Sequence, residues 1–179
     1  MSASVAVRRT EELTAADRSS VIDLCIAAHE NDDFQNLFTH FALGARHFLT
    51  YRGQDLVSHA MVSTRWLQLA SRPLMRTAYV DAVSTLPSAQ GLGYGTATMR
   101  RLAATIDDYE IGCLQTDIRG FYEPLGWELW RGALAGRDED QVIPTPDQRG
   151  VMVLPLRRTP SIDLDAPLSI EVQSYRIWE

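Results

Sequence analysis

A chain of 179 residues, 45% of them hydrophobic, carries enough apolar material for one sizeable core, and a single domain over residues 1–179 is expected. No apolar run is long enough to span a bilayer, and MSASVAVRRTEEL lacks the apolar stretch of a secretory signal, so a soluble cytoplasmic protein with no membrane partner is expected. The net charge of −6 argues against a nucleic-acid partner, which calls for a basic stripe, and permits a small cationic one.

SVAVRR (4–9) reads as a short strand. Thr14 stands where a helix cap would, and Val21, Leu24, Cys25 and Ala28 recur at helical spacing, so a helix should run to about His29. ENDDF (30–34) ends it, and a short helix over 35–42 is closed by Gly44. RHFLTYR, the turn RGQD, and DLVSHAMVSTRWLQLA predict a hairpin, and after SRPL the stretch MRTAYVDAVSTLP predicts a third antiparallel strand. TATMRRLAATIDDYE (96–110) puts Met99, Leu102, Ala103 and Ile106 on one helical face. CLQT (113–116) is a short strand, RGFYEPLGW (119–127) a helix of one or two turns closed by Gly126, and ELWRGALAG a further strand. GRDEDQVIPTPDQRG (136–150), polar and with two prolines, is expected to be a surface loop, and VMVLPL and LSIEVQSYRIW to be final strands. The order β-α-α-β-β-β-α-β-α-β-β-β implies an α+β domain around one mostly antiparallel sheet. Cys25 and Cys113 read as buried thiols, and neither they nor His29, His40, His47 and His59 show metal-ligand spacing.

The chemistry concentrates where YVDAVSTLPSAQGLGYGT (79–96) hands a strand over to a helix through spaced glycines. Such a junction lets backbone N–H groups surround a phosphate and adds the helix dipole. A Walker-type loop would need a lysine after Gly95, where Thr96 stands. A dinucleotide fingerprint would need G-x-G-x-x-G in a first βαβ unit, whereas this loop is G-x-G-x-G after antiparallel strands. A glycine turn packed on the sheet is the plain alternative. Asp81 lies in the middle of an apolar strand, which is costly unless it pairs with an arginine such as Arg65 or Arg76, or has a function.

QGLGYG (90–95), followed by FYEPLGW (121–127), resembles the two signatures of the GNAT acetyltransferases. The resemblance implies the GNAT fold, a mixed, mostly antiparallel central sheet flanked by helices, with acetyl-CoA as cofactor. It implies that the pyrophosphate lies on the loop of Gln90, Gly91, Leu92, Gly93, Tyr94, Gly95 and Thr96, and the pantetheine arm along Val83, Ser84 and Thr85. It also implies a strand bulge that frees an N–H near Val83 for the thioester oxygen.

The likeness extends to the aminoglycoside 2'-N-acetyltransferases through DDF (32–34), LGARHFLTY (43–51), YVDAV (79–83), ELW (128–130), TPDQRGVMVLPL (145–156) and Trp178. This implies Tyr122 as the acid, Asp81 as a water-mediated base or amine anchor, and Asp32, Asp33, Asp81, Thr116, Asp147, Trp178 and Glu179 around a small cationic amine. It also implies a homodimer. Phe38 stands where the family has an acid, Asp81 where it has a glutamate, and Glu179 follows the final tryptophan. These changes leave open an acceptor other than an aminoglycoside, such as a polyamine, amino sugar or peptide N-terminus, and an acyl-CoA-binding protein without activity.

Overall fold

In the computed structural model residues 4–40, 44–139, 141–173 and 176–178 are described. They group into two compact units, one within residues 1–63 and 80–105, the other within 64–79 and 106–179.

In the first unit β1 (Ser4–Arg9) pairs antiparallel with β2 (Arg46–Arg52), and β2 pairs antiparallel with the start of β3 (Asp55–Leu69). The β2–β3 register slips by one residue between Thr50 and Tyr51. β4 (Met75–Thr85) contributes its second half, Val80 to Thr85, to this unit. Helix α1 (Ala15–His29) begins with a reciprocal cap: Thr14 Oγ1 accepts from Asp17 N at 3.1 Å, and Asp17 Oδ2 accepts from Thr14 N at 2.9 Å. Its buried face, Val21, Leu24 and Cys25, is the one that the spacing predicts. A 3-10 turn over Asp32–Asn36 and the single turn α2 (Leu37–His40) follow. Val21, Cys25, Leu37, Leu49 and Met61 form the core of this unit, with Phe38 packed against it.

Helix α3 (Tyr94–Ala103) buries Thr98, Met99 and Leu102. It stops well short of the expected residue 110. Thr105 Oγ1 takes up the Arg101 and Leu102 carbonyls at 2.7 and 3.0 Å, so the last turn is closed by a side chain. Ile106, in phase with the helical stripe, is still fully buried beyond the helix end.

In the second unit the strand order is β6-β9-β5-β4-β3-β10-β7-β8, with β5 (Ile111–Gln115), β6 (Glu128–Leu129), β7 (Leu134–Asp138), β8 (Gln141–Pro144), β9 (Val151–Pro155) and β10 (Leu168–Glu171). The β4–β5 and β7–β10 pairs are parallel and the other described pairs antiparallel. The predicted strand ELWRGALAG is therefore two strands. The predicted loop 136–150 is a hairpin for part of its length, since β7 runs to Asp138 and pairs with β8. β8 is an exposed edge strand, the one place where Pro144 removes no ladder bond from a neighbour. The turn α4 (Arg119–Tyr122) continues as a 3-10 turn to Leu125 and closes at Gly126, as expected. Leu67, Tyr79, Ile111, Cys113, Trp130 and Val153 are among the core residues. No helix among the described residues is long and apolar enough to cross a membrane.

Candidate functional site

The parallel β4–β5 ladder runs from Thr77↔Ile111 to Tyr79↔Cys113 and stops there. Three residues later Ala82 adopts φ 49, a left-handed conformation rare for a residue with a Cβ. This left-handed turn inside an extended strand is bulge-like: it re-aims the peptide groups on either side of it. Side chains hold those groups. His59 Nδ1 lies 3.0 Å from Ala82 O, and His29 Nε2 lies 3.2 Å from Val83 O and 3.0 Å from Ser84 Oγ. Asp81, just before the bulge, is half-buried. Arg65 pairs with Glu171, and Arg76 with Asp108.

Beyond Thr85 a 3-10 turn over Pro87–Ala89 leads into the glycine loop. Gln90 Nε2 returns to Thr85 O at 3.2 Å and ties the loop to the strand end. Gly91 and Gly93 take φ 73 and 85, and nothing beyond their chain neighbours lies within 4 Å of where their Cβ atoms would be. Leu92 points outward, 62% exposed. Gly93 caps α3, whose first bond within the helix is Ala97 N to Gly93 O, so the N–H groups of Tyr94, Gly95 and Thr96 have no acceptor inside the helix. The helix start is anchored from below: Thr98 Oγ1 bonds Tyr94 O, Ser58 Oγ and Thr50 Oγ1 at 2.9, 3.0 and 2.6 Å, and Ser58 Oγ bonds Ser84 O and Thr85 Oγ1, each at 2.9 Å. An open glycine turn, free helix N–H groups and a bulged strand edge suit a ligand with a phosphate head and a long polar arm.

Sequence reasoning missed the buried polar row beneath the bulge. Thr10 Oγ1, His47 and His59 lie in sequence at 3.0 Å steps and end on Ala82 O. Burial, with Arg18 as a lesser cause, pushes His47 down to about 4; burial, with His47 as a lesser cause, pushes His59 down to about 3. In the unfolded chain both charge near pH 6.5. Between pH 6.5 and about 3 the unfolded state therefore binds more protons, so stability is complete above pH 6.5 and falls as pH drops through 4. Tm measured from pH 7 to pH 4 should decline, and more gently once His47 and His59 are both replaced by phenylalanine.

In the second unit Tyr122 is 4% exposed, edge-on to Trp127 and Phe121. Burial pushes its phenol up to about 12, against a hydrogen bond from Thr116 that pulls the other way. Thr116 in turn accepts from Ile118 N at 3.1 Å and is pinned by Thr116 N to Gly150 O at 2.9 Å. Thr116 also lines a cavity of about 760 Å³, whose wall carries Asp117, Arg119, Arg131, Thr145 and Arg149. Arg131 is paired with Asp165 across 2.7 Å.

The remaining predicted acceptor residues fall in both units. Asp32 and Asp33 are exposed on their 3-10 turn, where Asn31 caps Asp33 N at 2.9 Å. Phe38 has the Arg18 guanidinium 5.3 Å above its ring. Asp147 is exposed. Trp178 is buried, with Nε1 3.2 Å from Thr145 Oγ1, and its carbonyl accepts from the Tyr79 hydroxyl. Glu179 lies outside the described residues.

No family model matches the chain. It is 31% identical over 176 residues, 94% of this chain and 89% of the relative, to the aminoglycoside 2'-N-acetyltransferase of Mycolicibacterium fortuitum. Among solved structures it is similar to Eis1 from Mycobacterium abscessus (TM-score 0.60, 17% identity, 73% of this chain) and to a GCN5-related N-acetyltransferase from Kribbella flavida (0.57, 16%, 73%). It spans only 32% and 34% of those two longer chains, and at such identity the likeness is one of fold. The chain belongs to the aminoglycoside 2'-N-acetyltransferase family and is an N-acetyltransferase of the GNAT fold.

Proposed function

We propose that the protein transfers an acetyl group from acetyl-CoA to a primary amine of a small cationic acceptor, with an aminoglycoside 2'-amine as the leading candidate. The observation that carries this reading is the left-handed turn at Ala82 within β4, followed by the open turn at Gly91 and Gly93. The name of the M. fortuitum relative supports the choice of acceptor.

Acetyl-CoA, when bound, supplies the thioester that the amine attacks. The chain's own groups would do the rest. The N–H groups from Gly91 to Thr96 hold the pyrophosphate, with Gln90 fixing the loop, and Val83, Ser84 and Thr85 offer backbone groups to the pantetheine. A bulge N–H near Val83 stabilises negative charge developing on the carbonyl oxygen. An ammonium cannot attack, so Asp81 removes a proton from the acceptor through water, and Tyr122 donates its proton to the leaving sulfur. Asp32, Asp33, Thr116, Asp147, Trp178 and Glu179 remain the proposed acceptor contacts.

A second reading, acetylation of a less cationic amine, is favoured by the cavity beside Thr116, whose lining holds Arg119, Arg149 and the Asp165-paired Arg131 against one carboxylate, Asp117. A thiol-release assay with acetyl-CoA, run across 2'-amino and 2'-hydroxy aminoglycosides and simple amines, separates the two. Turnover confined to the 2'-amino compounds is expected. Turnover with other amines only would select the second reading, and no release with any amine would remove both.

A further inference from the structure

The polar row under the bulge has a direction. Ala82 O can only accept, so His59 Nδ1, 3.0 Å away, carries a proton. A neutral His59 then has a bare Nε2 that must accept, and the atom facing it at 3.0 Å is His47 Nδ1. His47 is therefore also protonated on Nδ1, and its bare Nε2 accepts from the Thr10 hydroxyl at 3.0 Å. One polarity, imposed from the bulge end, satisfies every atom in the row. Burial favours the neutral form of both rings that this polarity needs. The row is not a proton exit, because the carbonyl at its end passes no proton on.

We infer that His59, oriented by His47 and Thr10, is a positioning residue that holds the β4 bulge and thereby aims the backbone donor near Val83. A left-handed alanine persists only where its surroundings over-determine it. Here Ala82 O faces both His59 Nδ1 and Ser84 Oγ, the latter at 3.3 Å. The same Ser84 Oγ lies 3.3 Å from Cys25 Sγ, a thiol that burial pushes up to about 11 and so keeps protonated. The following carbonyl, Val83 O, meets His29 Nε2. Side chains from β3 and α1 thus do for these peptides what a neighbouring strand does in a regular ladder. The effect on rate rests on the acetyl-transfer reading above; the ring geometry does not.

The resting protein is tested first. With ¹⁵N-labelled histidine at neutral pH, two-bond ¹⁵N–¹H spectra should show His47 and His59 as neutral Nδ1–H tautomers, with His59→Asn identifying the His59 signals. An Nε2–H or cationic His59 would overturn the inference. Turnover is tested second. His59→Leu should lower kcat roughly 10- to 100-fold, with KM for acetyl-CoA changed less than about twofold, since an aimed donor acts in the transition state. His59→Asn, whose Nδ2 can occupy the place of Nδ1, should recover most of that loss. Unchanged kcat in folded His59→Leu, or no recovery in folded His59→Asn, would also overturn it. A wild-type protein that releases no CoA would sink the acetyl-transfer reading instead, and the tautomer spectra would still decide the direction of the row.

Discussion

Tyr122→Phe should lower kcat for CoA release by roughly 10²- to 10³-fold while leaving KM for acetyl-CoA within about twofold, because a general acid acts only as the bond breaks. The substitution removes one oxygen from a ring that is 4% exposed and wedged between Trp127 and Phe121, so packing is kept. With its pKa pushed up to about 12 by burial, the phenol stays protonated through the working range. In the proposed role, the same burial would disfavour a bare thiolate beside the ring and so give a weak acid a reason to donate. Its raised pKa also means that stability held below pH 10 is lost as pH rises toward 12, and Tyr122→Phe should flatten that alkaline fall in Tm. A folded Tyr122→Phe enzyme with full kcat would take the proton-donor role away from this residue.

Gly150→Ala should cost at least about 3 kcal/mol of stability, enough to abolish folding in a marginal domain. Gly150 has φ 71, and a Cβ there would lie 1.9 Å from Thr116 O, a backbone atom that cannot swing aside. The damage falls on the strand end beside Tyr122, because Thr116 N donates to Gly150 O and the Thr116 side chain acts on the Tyr122 phenol, lowering its pKa against burial. Gly120→Ala is the control. It sits in α4, where nothing beyond its chain neighbours and the helix's own backbone lies within 4 Å of the added methyl, and should stay within about 0.5 kcal/mol of wild type. Urea denaturation of the two variants checks the contrast; equal stabilities would mean that the Gly150–Thr116 approach is not tight in solution.

Much of this arrangement was legible in the chain. The capping residue Thr14, the hairpin turn RGQD and the glycine loop are local signals, and each element they predict is present. The end of α3 was not legible, since Ile106 keeps helical phase while serving the core from beyond the last turn. Nor was the β7–β8 hairpin, because Pro144 reads as a breaker unless the strand is known to lie at an edge. The hidden histidine row is the instructive case. Counted back from the turn, where Arg52 faces Asp55, an unbroken register sets His47 opposite Ala60 and turns it to the other face from His59. The one-residue slip at Thr50/Tyr51 instead sets His47 opposite Met61 and Leu49 opposite His59, so both rings share one face. No spacing rule reveals a pair that exists only because of a bulge.

In the second unit β10 lies between β3 and β7, yet it is the last of these strands in the chain. While the protein is being synthesised, β3 and β7 must each wait with an unfilled edge until residues 168–171 emerge. Arg65 waits with them: its fully buried guanidinium finds its carboxylate, Glu171, only on that late strand. Closure of this sheet is therefore the insertion of a central strand between two open edges, a step of high contact order that comes late and exposes strand edges to neighbouring chains meanwhile.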